Sequence, residues 1–271
     1  MTSDFLYENA PLAEVIAEVY WELTPLTAIP GAAIDPFFQT TSQNFQRLLA
    51  ETGFSHVERL LPQDMPVELA PGQPLLRFRK SAGAWPLYQI GSGVFTCNIV
   101  PPYRGWAAFR QVIADGLAIL FKSFPAPEHQ FRSTLISLRY VDVFTKKHGF
   151  EDSATAFLRD QLGIRFGLPQ ELLDRLESEP NKVAPIFEAR TPIDQTDRFF
   201  VVKAQQGLSD GLPAVVMELR ISSASRLSAS DQEVMRWFDE AHDVQHDIFD
   251  LMSSDSLKER MGPRRVIGGV A

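Results

Sequence analysis

The sequence contains one cysteine, Cys97, among its 271 residues. A single thiol excludes an intramolecular disulfide framework and a zinc site built from cysteines. Cys97 lies within the apolar segment VFTCNIV, where a small buried side chain is expected rather than a reactive thiol. Function must therefore come from other residue types.

The sequence also lacks an excess of basic residues and long apolar runs. The formal net charge is −8, and an acidic protein is a poor match for the phosphate backbone of nucleic acids. No apolar run approaches the ~18 residues of a membrane span. The N-terminal segment MTSDFLYENAPL has neither the basic n-region nor the apolar h-region of a signal peptide. We expect a cytoplasmic protein with no membrane partner and no nucleic-acid partner.

Alternating apolar residues predict most of the strands. The segment Leu12–Leu23 places Val15, Ala17 and Val19 on one face, which favours a strand, although its glutamates at every fourth position also fit a helix. Further strands are predicted at 75–80, on both sides of a Gly-Ser-Gly turn, at 135–144, and as a hairpin at 198–205 and 214–222.

Helical periodicity predicts a second set of elements. Helices are expected at 37–52, 106–121, 153–162 and 169–177, and a Ser230–Glu233 capping box begins a long helix that ends near Met252. The fold class is therefore α+β: a mainly antiparallel sheet covered by helices, with a long C-terminal amphipathic helix. We expect a single α+β domain over residues 1–262, a sub-division near 178–183, and a flexible tail at 263–271.

One motif has the residues of catalytic loops without their spacing. Gly91-Ser92-Gly93 is neither a nucleophile elbow nor a phosphate-binding loop. Both glycines are instead expected to adopt the positive φ of a tight turn. No complete catalytic constellation is found in the sequence, and no catalytic residue is assigned.

Arg139 and Asp142 are candidate ligand-binding residues because their strand is otherwise apolar. A buried charge needs a partner, and Glu14 or Glu218 would satisfy Arg139 structurally. The alternative is that Arg139 binds an anionic ligand. Tyr103 and Arg104 are further candidates because they precede a helix, whose first N–H groups attract anions. The alternative is structural: Tyr103 packs against this helix and Trp106 anchors the helix in the core.

His242 and His246 lie four residues apart on the long helix, which is usable spacing for metal ligands. Asp239 and Asp250 could supply oxygen ligands. The H-E-x-x-H pattern is absent, however, and His242 lies at the margin of the apolar stripe. The alternative interpretation is a boundary histidine against Phe238 with a solvated neighbour.

Five segments in order resemble the landmarks of one family: NAPLAEV, LYQIGSGVFTCN, YRGWAAFR, LRYVD and AHDVQHDIF. It is a sporadically distributed family of uncharacterised bacterial proteins of about this length. The resemblance spans nearly the whole chain and implies no activity, cofactor or catalytic residue. The patchy distribution of the family implies an accessory or defence-type gene context.

Three functions are consistent with the sequence. The first is a non-catalytic interaction or regulatory protein that needs no cofactor and binds a protein partner or a second copy of itself. The second is a small-molecule-binding protein with a pocket between the sheet and the long helix. The third is a metal-dependent hydrolase that uses the His242/His246 helix.

Overall fold

The computed structural model describes residues 5–62, 65–125, 135–176, 179, 183–193, 195–225 and 231–266. Their elements confirm the α+β class. The strands are β1 (Phe5–Tyr7), β2 (Leu12–Tyr20), β3 (Thr24–Pro25), β4 (Ala33–Ile34), β5 (His56–Arg59), β6 (Leu76–Arg79), β7 (Leu87–Gly91), β8 (Val94–Ile99), β9 (Leu135–Phe144), β10 (Ile186–Ile193), β11 (Arg198–Ser209), β12 (Leu212–Ser223) and β13 (Arg264–Val266).

Five of the six helices in the described residues agree closely with predicted segments, and the last one was not predicted. They are α1 (Phe38–Glu51), α2 (Trp106–Ser123), α3 (Ala154–Leu162), α4 (Gln170–Arg175), α5 (Asp231–Met252) and α6 (Asp255–Met261), with 3₁₀ turns at Val67–Leu69 and Lys146–His148. The long C-terminal helix is confirmed as α5. Ser230 of the predicted capping box lies outside the described residues, as do most of the segment 178–183 and residues 267–271 of the predicted tail.

Nine strands form one mainly antiparallel sheet in the order β10-β11-β12-β9-β2-β8-β7-β6-β5. The segment beginning at Leu12 is a strand, as predicted, and ends at Tyr20 rather than Leu23. The hairpin of β11 and β12 is also confirmed. Its turn is Asp210-Gly211, and both residues have positive φ (52° and 78°), as a two-residue hairpin turn requires.

The described residues group into two compact units. The first unit comprises the described residues within 1–14, 139–221 and 241–271, and the second comprises those within 15–138 and 222–240. Strands β2, β9 and β12 and helix α5 contribute residues to both. The prediction of one domain over 1–262 stays a prediction, whereas residues 264–266 of the predicted tail form β13, paired with β1.

The core of the second unit is aromatic. Helix α2 buries one face, which includes Trp106, Phe109, Ile113, Leu117 and Leu120. Elsewhere in this unit the Phe45 ring meets the rings of Phe78 and Phe95 edge to face, at centroid distances of 5.4 and 5.9 Å. Such contacts supply burial and fixed ring orientations together.

The core of the first unit is built from strands β9, β11 and β12 and from helices α3 and α6. Its fully buried side chains include Phe144, Phe150 and Met217. The Phe157 ring packs against both phenylalanines, at centroid distances of 5.2 and 5.9 Å. Helix α3 is anchored at its start by Ser153, whose hydroxyl accepts a hydrogen bond from the backbone N–H of Ala156.

The Gly-Ser-Gly turn corrects one prediction. Gly93 has φ +80°, as expected for a tight turn, but Gly91 does not have positive φ. A Cβ atom at Gly91 would lie 1.8 Å from the carbonyl oxygen of Gln73. Gly91 is therefore required by the close approach of another backbone segment, which the local sequence does not reveal.

Candidate ligand-binding groove

Two helix faces in the second unit enclose an open groove with a volume of about 430 Å³. Helix α2 contributes Arg110, Ala114 and Leu117, and α5 contributes Gln232, Met235, Arg236 and Asp239. Apart from the adjacent Met235 and Arg236, neighbouring members of each set are three or four positions apart, so each set lies on one face of its helix. The apolar side chains form the floor, and the polar and charged ones form the rim.

The Asp239 carboxylate fixes the geometry of the groove. Arg110 donates from Nε to Oδ1 (2.7 Å) and from Nη2 to Oδ2 (3.0 Å), a bidentate pair. Trp106 Nε1 also donates to Oδ1, at 2.9 Å. The hydrogen bond to Asp239 raises the pKa of Arg110, so this guanidinium stays charged and oriented.

The groove retains unused hydrogen-bond donors. A guanidinium has five N–H groups, and the Arg110–Asp239 pair uses two of those on Arg110. Arg236 is exposed, and among the described residues it makes no ion pair. Two guanidinium groups and one carboxylate leave a single positive charge on the rim, so the groove is suited chemically to a small anion.

The structure separates Arg139 from Asp142. Side chains alternate along a strand, so residues three apart in β9 lie on opposite faces. Arg139 is half-buried and donates from Nη1 to Oε2 of Glu218 at 3.3 Å, which is one of the two predicted structural partners. The pairing that the sequence favoured for Arg139 is therefore confirmed.

Asp142 lies on the covered face of β9 with 3% of its surface exposed. Its Oδ2 atom has no hydrogen-bond partner among the described residues. Burial in a low-dielectric environment raises the pKa of this carboxyl to about 7. The acid can therefore stay protonated near neutral pH, which a solvated aspartate cannot.

Tyr103 and Arg104 lie immediately before α2, whose N-cap is Gly105 with φ +94°. The Tyr103 ring meets Phe109 edge to face at a centroid distance of 6.4 Å, which is the predicted packing against the helix. Arg104 is exposed to solvent. Trp106 is 8% exposed, and it is the core anchor that the sequence predicted.

The four metal-ligand candidates have other partners. His242 Nδ1 lies 2.8 Å from the hydroxyl of Tyr140, and the His246 ring packs against Phe5 with Nε2 3.4 Å from its carbonyl oxygen. Asp239 is held by Arg110. In the described part of the chain, no three His, Cys, Asp or Glu side chains converge as metal ligands.

The remaining candidate, Asp250, belongs to a cluster in the first unit. It accepts hydrogen bonds from Tyr7 (2.9 Å) and Arg264, and Lys258 lies 3.3 Å away. Although partial burial opposes it, the net effect of these donors and cations lowers the pKa of Asp250. Arg264 also covers the ring of Phe5 at 4.2 Å, so this cluster holds β13 against β1.

A row of polar side chains crosses five neighbouring strands and was missed in the sequence. Glu18, Thr96, Gln89, Arg77 and Glu58 are directly opposite one another in register. Glu18, Thr96 and Gln89 are buried, at 4%, 3% and 9% exposure. The sequence signal for this row is the alternation of polar residues in β5 to β8. It identifies a row only once the register of the strands shows which polar residues lie opposite one another.

The row is a directional hydrogen-bond chain when the Gln89 amide oxygen faces Arg77. Arg77 Nε then donates to Gln89 (3.0 Å), and the Gln89 amide nitrogen donates to Thr96 Oγ1 (3.1 Å). Thr96 donates to Asn98 Oδ1 at 2.7 Å. Arg77 also donates to Glu58 at 3.0 Å. Because Glu58, Arg77, Gln89, Thr96 and Asn98 are linked by these hydrogen bonds, this part of the row has the character of a structural network.

No protein-family model, curated protein or solved structure matches this chain. In the described residues, no helix has the length and apolar character needed to cross a membrane. The geometry of the groove and the chemistry of its side chains are therefore the basis for a functional assignment.

Proposed function

We propose that this protein is a non-catalytic binding protein whose ligand is a small anion held in the groove between α2 and α5. The observation that carries the proposal is the pair of arginines on the rim. Arg110 is oriented by Asp239 and keeps donors that the carboxylate does not use, and Arg236 has no ion pair among the described residues.

Preorganisation is the physical reason to favour binding at this place. A free arginine side chain loses rotamer freedom when it captures a ligand, which weakens binding. The bidentate contact with Asp239 has already ordered Arg110. The volume of about 430 Å³ lies within the roughly 300–1,000 Å³ of ligand pockets. Phosphate and carboxylate groups match the planar donor geometry of guanidinium.

A cytoplasmic location and the bacterial family named above belong to the same proposal. Cys97 is a free, buried thiol, which is compatible with a reducing compartment. The family resemblance adds no ligand chemistry. The proposal differs in one respect from the pocket expected from sequence, because helix α2 rather than the sheet forms the second wall of the groove.

The experiment is a titration of the full chain with inorganic phosphate, followed by calorimetry and by thermal unfolding. Sodium chloride at equal ionic strength provides the reference. Arg236→Gln should lower phosphate affinity by about tenfold or more, because a hydrogen bond to a charged group contributes about 1.5–3 kcal/mol. The variant should keep the wild-type melting temperature in chloride, since Arg236 is exposed.

Arg175→Gln is the matched control. It removes the same charge from an exposed site on α4, outside the groove. The proposal requires Arg175→Gln to bind phosphate as the wild type does. If both variants lose affinity equally, the effect is general electrostatic screening and the groove is not the site. If neither loses affinity, the proposal is also wrong.

A further inference from the structure

Strand β10 forms one edge of the nine-stranded sheet, and its eight residues all pair with β11 on one side only. In the described part of the chain no strand pairs with its other side. Six of the eight residues are exposed, and Ile186 is 85% exposed. A long edge strand with free N–H and C=O groups is a template for another strand.

The β10 sequence IFEARTPI is complementary to itself in charge. In an antiparallel pair of two copies related by a two-fold axis at Ala189, Glu188 of each copy lies directly opposite Arg190 of the other. Directly opposed residues have their side chains on the same face, so two identical ion pairs form. A two-fold interface of this kind uses the same surface twice and closes at two subunits.

We propose that β10 pairs with β10 of a second copy of this chain in that register. The inference is independent of the anion-binding groove. Glu188 already lies 3.3 Å from Lys203 of β11, and both side chains are exposed. In the dimer each Glu188 therefore lies between a lysine of its own chain and an arginine of the other.

Pro192 supports the backbone part of the proposal. Proline has no N–H and is tolerated in a sheet where the missing N–H would point away from the neighbouring strand. Pro192 pairs with Phe199 in β11. Backbone N–H and C=O groups point to alternate sides along a strand, and Arg190 and Glu188 lie two and four positions before Pro192. Their N–H and C=O groups therefore also point away from β11. They can then make the four central hydrogen bonds of the two-fold pair.

The proline also limits how β10 can pair. In the proposed register, Pro192 lies opposite Ile186 of the second copy, where one hydrogen bond is missing. Pairing is therefore confined to the centre of the strand. A register shifted by two residues loses both ion pairs, because each charged side chain then faces an uncharged residue or its own counterpart. The two Glu188–Arg190 ion pairs and the missing N–H of Pro192 together favour a closed two-fold dimer over open-ended edge-to-edge pairing of strands.

The experiment measures the mass of the full chain by light scattering and sedimentation over a concentration series. The wild type should dimerise. Glu188→Arg and Arg190→Glu each place like charges opposite one another, and each should raise the dimer dissociation constant by at least about tenfold. The double variant Glu188→Arg/Arg190→Glu exchanges the two charges; made in the Lys203→Ala background, so that the exchanged charge does not face a lysine of its own chain, it should dimerise like Lys203→Ala.

Two controls separate the interface from the fold of the chain. Lys203→Ala removes the partner of Glu188 within one chain and should leave the dimer intact. Far-ultraviolet circular dichroism of each variant reports folding directly. A wild type that stays monomeric at its highest soluble concentration overturns the proposal. A double variant that stays as monomeric as the single variants also overturns it.

Discussion

The carbonyl oxygen of Gln73 occupies the space next to Gly91 in which a side chain would begin, since a Cβ atom there would lie 1.8 Å away. Neighbouring backbone bonds hold this approach in place. Gly72 donates to Ser92, at 2.8 Å, and Leu75 donates to Ile90, at 2.9 Å. The segment before β6 and the strand β7 are therefore tied together on both sides of the glycine.

Gly91→Ala should destabilise the protein by about 3 kcal/mol or more, because the backbone must move to admit a methyl group. The measurement is urea denaturation followed by circular dichroism. Gly167→Ala is the control, since a Cβ atom at Gly167 has no neighbour within 4 Å and its φ is not positive. It should be neutral or stabilise by up to about 1 kcal/mol. Equal losses in both variants would contradict the prediction.

The two glycines of this turn mark the limit of what the sequence could reveal. Gly93 acts through its own φ, a local property that turn chemistry predicts. Gly91 is required by contact with a residue eighteen positions earlier in the chain. Strand β2 and helix α2 were predicted for the same local reason, because periodicity determines which face is buried, whereas β10 and α6 were not predicted. The contacts between the elements were not predicted either.

Asp142→Asn should change the pH dependence of stability. The pKa of Asp142 is raised from 3.8 to about 7 in the folded chain, so the folded state binds a proton that the unfolded state has lost. Stability therefore falls as pH rises from about 4 to about 7 and stays low above that. The full shift corresponds to about 4 kcal/mol. Asparagine cannot ionise and removes this loss.

Thermal unfolding of wild type and Asp142→Asn at pH 5 and pH 8 provides the measurement. The variant should melt at a higher temperature than the wild type at pH 8, and the difference should shrink at pH 5. Asparagine preserves the size of the side chain, so the packing around position 142 is the same in the wild type and the variant. A difference that is the same at both pH values would mean that Asp142 does not carry a proton in the folded state.

Thr96→Val tests the polar row across β5 to β8 and β2. The variant keeps the shape of the side chain but removes the hydroxyl that accepts from Gln89 and donates to Asn98. Two buried polar groups lose a partner, and the expected loss is about 1–3 kcal/mol. Thr96→Ser keeps the hydroxyl and should stay within about 1 kcal/mol of the wild type. Urea denaturation distinguishes the two, and equal stability of valine and threonine would contradict the network.

The candidate groove shows the same division between local and distant information. The sequence placed Trp106 as a core anchor and Asp239 near the His242 helix face, and both positions follow from helical phase. It proposed Asp239 as a metal ligand, whereas the structure pairs it with Arg110, 129 positions away in the chain. Helical periodicity predicts which face a residue occupies but not which helix it meets.

His148 affects the pH dependence of stability in the direction opposite to Asp142. Its Nδ1 accepts a hydrogen bond from the backbone N–H of Thr145 at 3.0 Å, and its Nε2 lies 3.1 Å from the carbonyl oxygen of Asn9. This geometry requires the neutral ring with its proton on Nε2. Burial lowers the pKa of His148 and the charge of Lys147 lowers it further, whereas the hydrogen bond to the Asn9 carbonyl oxygen opposes them in part.

The pKa of His148 is lower in the folded chain than its ordinary value of 6.5, so the unfolded chain takes up the proton first as pH falls. The neutral ring therefore stabilises the fold above pH 6.5, and this stability is lost as pH falls below 6.5. In the wild type, protonation of Asp142 acts in the opposite direction over the same range. In the Asp142→Asn variant, the stability lost on protonation of His148 should therefore appear as a melting temperature that falls as the pH is lowered from 7 to 5. Imidazole nitrogen chemical shifts measured by NMR provide the direct check. A His148 ring that gains its proton at or above pH 6.5 would contradict the buried neutral state.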